Sequence, residues 1–267
     1  RVPPVKMKVV IPVAGAGTRL RPHTYTQPKP LMPVAGKPII CFIIDKLVEV
    51  GLTDFVFVIG YLGEKIRDFI EQTYPHLQTE FVYQESREGS AHAIWTAREA
   101  IEDEDEIFIA FGDTIFDVDL KFMLECKYSC LGVKKVNDPR EFGVAEIDEN
   151  GFATRMVEKP RIPKSNMAIV GLYKVKDVPV LLRVINHMIQ HDLRSVGEFQ
   201  LTDALQLMLE QGIAFAFISY AGKMCVGVVS DPGIAPDGSK LVALLKDSYS
   251  ELRALADGPA ESAAAAG

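Results

Sequence analysis

Short runs of Val, Ile and Phe at residues 8–14, 54–59, 80–83 and 106–111 alternate with helical patterns at residues 39–50, 64–72 and 91–101. Strand, crossover helix and strand in repetition predict an α/β protein with a largely parallel sheet flanked by helices. Ligands of such sheets bind outside the carboxyl ends of the strands. Two of those ends, at Gly15 and at Gly112-Asp113, are therefore where chemistry is expected. Beyond Asp113 the pattern changes to strands with no helix between them, at residues 131–136, 143–147, 154–158 and 168–175. They predict an antiparallel layer laid over the mouth of the first half. Two helices follow, 178–191 and 202–211, the second with Thr202 as its N-cap. Strands at 214–220 and 224–229 and a helix at 239–255 lead into an Ala-rich end. With no internal repeat or linker, residues 7–220 read as one domain. Residues 221–267 read as a divergent strand and helix packed on it.

The totals exclude several classes. A chain of 267 residues, 48% of them hydrophobic, can bury a full core, so disorder is not its main state. Its 36 acidic and 29 basic residues give a net charge of −7, with no Lys/Arg run longer than two, which argues against a nucleic-acid partner. Cys41, Cys126, Cys130 and Cys225 lack the CxxC spacing, which suits a reduced compartment, and a cytoplasmic location is expected. No apolar stretch approaches the roughly 18–20 residues of a membrane span, and the first residues lack a signal peptide's apolar region; Met7 is the expected natural start.

The most informative segment is the loop GAGTRLRPHTYTQPKP. Gly15 and Gly17 remove side chains where backbone N–H groups could approach phosphates. Thr18 adds a hydroxyl, and Arg19, Arg21 and Lys29 add positive charge. That combination favours an anionic ligand over an ordinary strand-to-helix turn. A P-loop is excluded because Gly-Lys-Ser/Thr is missing in register. A dinucleotide fingerprint is excluded because Pro22, Pro28, Pro30 and Pro33 forbid a helix opening at the glycines.

The runs GAGTRLRP and PKPLMPVAGKP resemble the sugar-phosphate nucleotidyltransferases, the group containing glucose-1-phosphate thymidylyltransferase and UTP–glucose-1-phosphate uridylyltransferase. The resemblance continues through GDTIF, EFGVAEID, VEKP, PKSNMAIVGLY and GEFQLTDALQ, over roughly residues 7–220. It implies a Rossmann-like, mixed, largely parallel sheet of nucleotidyltransferase type with an antiparallel sugar-binding layer. The implied reaction is attack of a sugar-1-phosphate oxygen on the α-phosphorus of a nucleoside triphosphate, with release of pyrophosphate. Bringing two anions together makes neutralisation and positioning the main task. By resemblance, Arg19 and Lys29 bind the triphosphate, Lys159 holds the sugar phosphate and Asp113 ligates Mg²⁺. These four are the implied catalytic set. Nucleotide binding is implied for Ala14, Gly15, Gly17, Thr18, Gln84 and Gly89 as well, with Gln84 reading a pyrimidine base and Gly89 letting the base approach the backbone. Gly143, Glu158, Ile169 and Val170 are implied on the sugar side with Lys159. His92 reads as a helix residue near the site without a catalytic role.

The substrates so implied are dTTP or UTP with glucose-1-phosphate. GTP with mannose-1-phosphate is the alternative, and a homo-oligomer, dimer or tetramer, stays open. One departure from the pattern stands out. Relatives carry a second metal-binding Asp after the strand that residues 214–220 resemble, and the best register places Cys225 there. A thiol is a poor Mg²⁺ ligand. Either Asp231 substitutes, or Asp113 and phosphates hold the metal alone, or the chain binds nucleotide and sugar phosphate with impaired turnover.

Overall fold

A computed structural model of the chain describes residues 5–116, 118–147, 153–213 and 215–219; the side chains of Arg19 and of residues 216–219 are outside that description. Cys225, Asp231 and the elements expected at 224–229 and 239–255 thus lie outside the described residues. Strand β1 (Val5–Pro12) leads through three single-turn 3-10 helices and a small hairpin, β2 (Pro33–Val34) and β3 (Lys37–Pro38), into α1 (Ile39–Glu49). Next come β4 (Leu52–Ile59), α2 (Gly63–Thr73), β5 (Gln78–Tyr83), α3 (Ser90–Thr96), α4 (Arg98–Ile101) and β6 (Glu106–Ala110). The second half runs α5 (Leu120–Glu125), β7 (Ser129–Lys135), β8 (Gly143–Ile147), β9 (Ala153–Glu158), β10 (Met167–Lys176), α6 (Val178–Gln190), α7 (Leu201–Glu210) and β11 (Phe215–Ser219).

The larger sheet has the order β11-β7-β10-β6-β1-β4-β5. Its centre is parallel, β1 pairing with β4 and β6, and β4 with β5. Val9, Val10 and Ile11 of β1 and residues 55–59 of β4 are fully buried. Strands covered on both faces need apolar side chains at every position, which is why their sequences run continuously apolar. Alternate residues feed two cores. Val10, Val56, Val58, Ile107 and Ile109 pack with α3, α6 and α7, while Val9, Ile11, Phe55, Phe57 and Phe108 pack with α1 and α2. In α1 the buried side chains Ile40, Ile43, Ile44 and Leu47 form one stripe at helical spacing. The helix stops where Gly51 takes φ 91°, a conformation glycine adopts without penalty.

The mixed α/β architecture is the expected one, and the structure alters its details. The antiparallel strands continue the parallel sheet edge to edge instead of covering it. β10 pairs with β6, β7 with β10, and β11 returns parallel to β7. The β8–β9 hairpin alone branches from that row, β8 pairing with the start of β10. A helix, α5, stands between Asp113 and β7. Asp119 caps it, accepting the Lys121 backbone N–H at 3.0 Å, but six residues are too few to show a period. The helix expected over 91–101 divides at Ala97, one residue after Thr96 returns its hydroxyl to the His92 carbonyl at 2.9 Å, a bond that bends helices. Gln200, not Thr202, occupies the N-cap of α7, and Thr202 lies inside the first turn. Among the described residues no helix is long and apolar enough to cross a membrane.

Candidate active site

Glycines let the ends of β1, β4 and β6 close on one another. A Cβ on Gly60, just past β4, would stand 3.0 Å from the carbonyl oxygen of Ala14, which is itself buried. A Cβ on Gly112, just past β6, would stand 2.2 Å from Val13 Cγ1. Those contacts bring the segments after β1 and β6 side by side. They set Asp113 against the loop whose glycines and lysine the sequence singles out.

That loop is held by its own hydroxyls and prolines. Gly17 has left-handed backbone, φ 58°, and its carbonyl accepts the hydroxyl of buried Thr24 at 2.9 Å. Gly15 is exposed, with nothing within 4 Å of where a Cβ would stand. Residues Lys29–Leu31 form a single 3-10 turn, entered from Pro28 at φ −65°, with Pro30 and Leu31 buried beneath it. The Gln27 side-chain amide donates to the Leu31 carbonyl at 3.2 Å, so Lys29 stands on an anchored turn. Its Nζ donates to Asp113 Oδ2 at 2.5 Å, and Thr114 Oγ1 donates to Asp113 Oδ1 at 3.3 Å. Arg21 stacks instead on the Tyr25 ring, 5.2 Å from its centroid. The Arg19 side chain lies outside the described atoms.

A cavity of about 960 Å³ opens over these groups. Gly15, Gly17, Thr18, Lys29, Asp113 and Lys159 all border it, so the two cationic centres expected for two anions face one space. Lys159 reaches it from the end of β9 with left-handed backbone, φ 40°, an uncommon conformation for a residue with a side chain, while its N–H donates to the Phe142 carbonyl at 3.0 Å. Arg87, Glu88 and Glu198 border the cavity as well, and the sequence alone assigns a role to none of them. Arg194 neutralises Glu88 at 2.7 Å and lies 3.9 Å over the Phe199 ring. Ala14, Gln84, Gly89, Gly143, Glu158, Ile169 and Val170 do not border the cavity.

Their surroundings are specific nonetheless. Glu158 accepts the Thr202 hydroxyl at 2.8 Å and has Lys159 Nζ at 3.9 Å. Burial pushes its carboxyl above the usual range, against the opposing pull of Thr202 and Lys159. A Cβ on Gly143 would stand 2.6 Å from Thr202 Oγ1 and 3.0 Å from Glu158 Oε2, so this glycine clears room for that pair. Gly89 has φ 111°, and a Cβ there would stand 2.4 Å from the Phe199 carbonyl oxygen. Phe199 bonds the chain on both sides of it, donating to the Glu88 carbonyl at 2.7 Å and accepting from Ala91 N–H at 2.9 Å. The Gln84 amide nitrogen lies 3.3 Å from the Gly89 carbonyl and 2.9 Å from His92 Nδ1. Ile169 is buried in the core, and Val170 is half-buried, its Cγ2 3.1 Å from where a Cβ on Gly132 would stand. The run GEFQLTD contains both Glu198 and Thr202: Glu198 accepts from the Gln200 amide two residues on at 3.1 Å, whereas Thr202 meets Glu158 from a distant segment, and no spacing rule points to that pair.

An exposed glycine turn, an anchored lysine and a carboxylate at the carboxyl ends of a mixed α/β sheet suit a phosphorylated ligand. The chain belongs to the nucleotidyl transferase family, whose model matches residues 8–226. A second model, for the WS/DGAT C-terminal domain, matches residues 201–253, mostly outside the described residues. The bifunctional protein GlmU of Methanocaldococcus jannaschii is 35% identical over 205 residues, covering 77% of this chain and 47% of its own length. The UTP–glucose-1-phosphate uridylyltransferase AglF of Haloferax volcanii is 32% identical over 213 residues, covering 77% of this chain and 85% of its own. The chain thus spans about half the length of the first of these relatives. A crystal structure of UDP-glucose pyrophosphorylase complexed with UDP-glucose shares the fold with a TM-score of 0.68 at 23% identity, over 82% of this chain and 92% of that one.

Proposed function

We propose that the chain is an enzyme that joins a pyrimidine nucleoside triphosphate, UTP or dTTP, to a sugar-1-phosphate, releasing pyrophosphate and a nucleotide-sugar. Glucose-1-phosphate is the leading acceptor. The observation that carries this reading is the meeting of Lys29, Asp113 and Lys159 around one cavity floored by an open glycine turn. The backbone at Gly15 and Gly17 and the Lys29 ammonium cradle the triphosphate, joined by Arg19, while Lys159 holds the phosphate of the sugar. The attacking phosphate oxygen is already ionised near neutral pH, so these residues need supply no base. Their work is to hold two anions in line and to neutralise charge on the oxygens.

Among the described residues no group of three or more His, Cys, Asp and Glu is placed to hold a metal. The half-exposed Asp113 carboxylate beside the cavity nevertheless fits a hard cation that takes one carboxylate and completes its shell with phosphate oxygens, as Mg²⁺ does. Bound there, Mg²⁺ would supply charge neutralisation on the triphosphate. Gln84 and Gly89 serve the base in this reading, and Gly143, Glu158, Ile169 and Val170 shape the sugar side.

Pyrophosphate release in the presence of Mg²⁺, UTP or dTTP and glucose-1-phosphate tests the proposal against Asp113→Asn. Release by the unaltered chain that falls about a hundredfold or more in the variant is expected. Nucleotide binding with no Asp113-dependent release overturns it in favour of a binding protein, the outcome that Cys225 in place of a second carboxylate would bring about.

A further inference from the structure

Gln84 follows the tip of β5, and its side chain is almost wholly buried. A primary amide can turn either end toward a neighbour, and here the surroundings decide which. The Gly89 carbonyl is an acceptor only, so the atom 3.3 Å from it is the amide nitrogen. That nitrogen also meets His92 Nδ1 at 2.9 Å, so Nδ1 must carry the lone pair and the ring proton must sit on Nε2. The amide nitrogen is thereby held by two acceptors. Among the described residues the carbonyl end, Oε1, takes no hydrogen bond.

We infer that His92 is a positioning residue that locks the Gln84 amide so that its carbonyl oxygen, and not its NH₂ group, is offered to a base. The edge complementary to that oxygen is one with a ring N–H, as in the imide of uracil or thymine. Cytosine presents a ring acceptor there instead. Had the amide been free to turn, Gln84 could serve either edge and would discriminate little. His92 is half-buried on α3, and burial pushes its ring below the usual histidine range; Arg194 acts in the same direction and Glu88 against it. The neutral ring that the lock requires is therefore the prevailing one near neutral pH.

Kinetics with CTP and with the better of UTP and dTTP test this. The ratio of kcat/KM for that uridine or thymidine triphosphate to kcat/KM for CTP reads the orientation of the amide, while titration of the phosphates, common to both, cancels. His92→Phe keeps a ring and removes the acceptor. It is expected to lower the ratio about tenfold, through KM and with little change in kcat. His92→Asn, whose Oδ1 can accept where Nδ1 did, is expected to restore it. In the unaltered protein the ratio should fall as pH drops and His92 takes a proton, read only above the range in which cytosine N3 itself is protonated, a measurement that needs no folded variant. The inference rests on Gln84 reading the base, and Gln84→Ala separates the two. An unchanged ratio in Gln84→Ala overturns the base reading and this lock with it. A lowered ratio there, combined with an unchanged ratio in His92→Phe and across pH, overturns the lock alone.

Discussion

Gly15 and Glu158 show how single residues divide between holding the fold and meeting the ligand. No atom lies within 4 Å of a Cβ built on Gly15, and its backbone is not left-handed. Gly15→Ala is therefore expected to leave the unfolding midpoint unchanged within error while raising KM for the triphosphate several-fold, about 1 kcal/mol of binding. A variant with unchanged KM would remove the triphosphate from that turn. Glu158 is the opposite case, a carboxylate whose burial raises its pKa in the folded protein. Between its ordinary and raised values the folded protein keeps a proton that the unfolded chain has lost. That contribution to stability is complete below the ordinary value and is lost as pH rises through the raised one. Glu158→Gln keeps an acceptor for Thr202 and cannot ionise, so it should gain stability over the unaltered chain at about pH 7 relative to about pH 4. Chemical denaturation at both pH values decides this, and an equal difference at both contradicts it.

At the level of elements, Gly89 marks the junction where the segment after β5 meets the residues leading into α7. With φ 111° and Phe199 O only 2.4 Å from a built Cβ, Gly89→Ala must move backbone. It is expected to cost about 2–4 kcal/mol, read as a lowered denaturant midpoint; a cost below about 0.5 kcal/mol would contradict the assigned contact. The elements themselves were largely legible. The buried parallel strands announce themselves as apolar runs because both faces are covered, and α1 and α6 as stripes at helical spacing. The position of β10 between β6 and β7 was not legible, because pairing of strands far apart in sequence leaves no local signature. Nor was α5, whose one clear signal was Asp119 as a cap. Thr202 has the residue type of an N-cap, but its hydroxyl serves Glu158, so a tertiary contact overrode a local preference. In the site, residue types and the family resemblance pointed to Lys29, Asp113 and Lys159. The 2.5 Å contact between two of them, and the Gln84–His92 lock, needed three dimensions.

Over the whole molecule, the parallel half brings a glycine turn, a lysine and a carboxylate to one end of the sheet. The antiparallel strands add Lys159 to the same cavity, because β9 ends where β8 and α7 hold Glu158. That convergence of two anion-holding groups is the central claim. Its most direct test is identification by mass spectrometry of the product formed from a small grid of nucleoside triphosphates and sugar-1-phosphates with Mg²⁺. The predicted result is a nucleotide-sugar, formed in step with pyrophosphate, fastest with UTP or dTTP and glucose-1-phosphate. No nucleotide-sugar from any pair despite nucleotide binding, or a clear preference for GTP with mannose-1-phosphate, would contradict it.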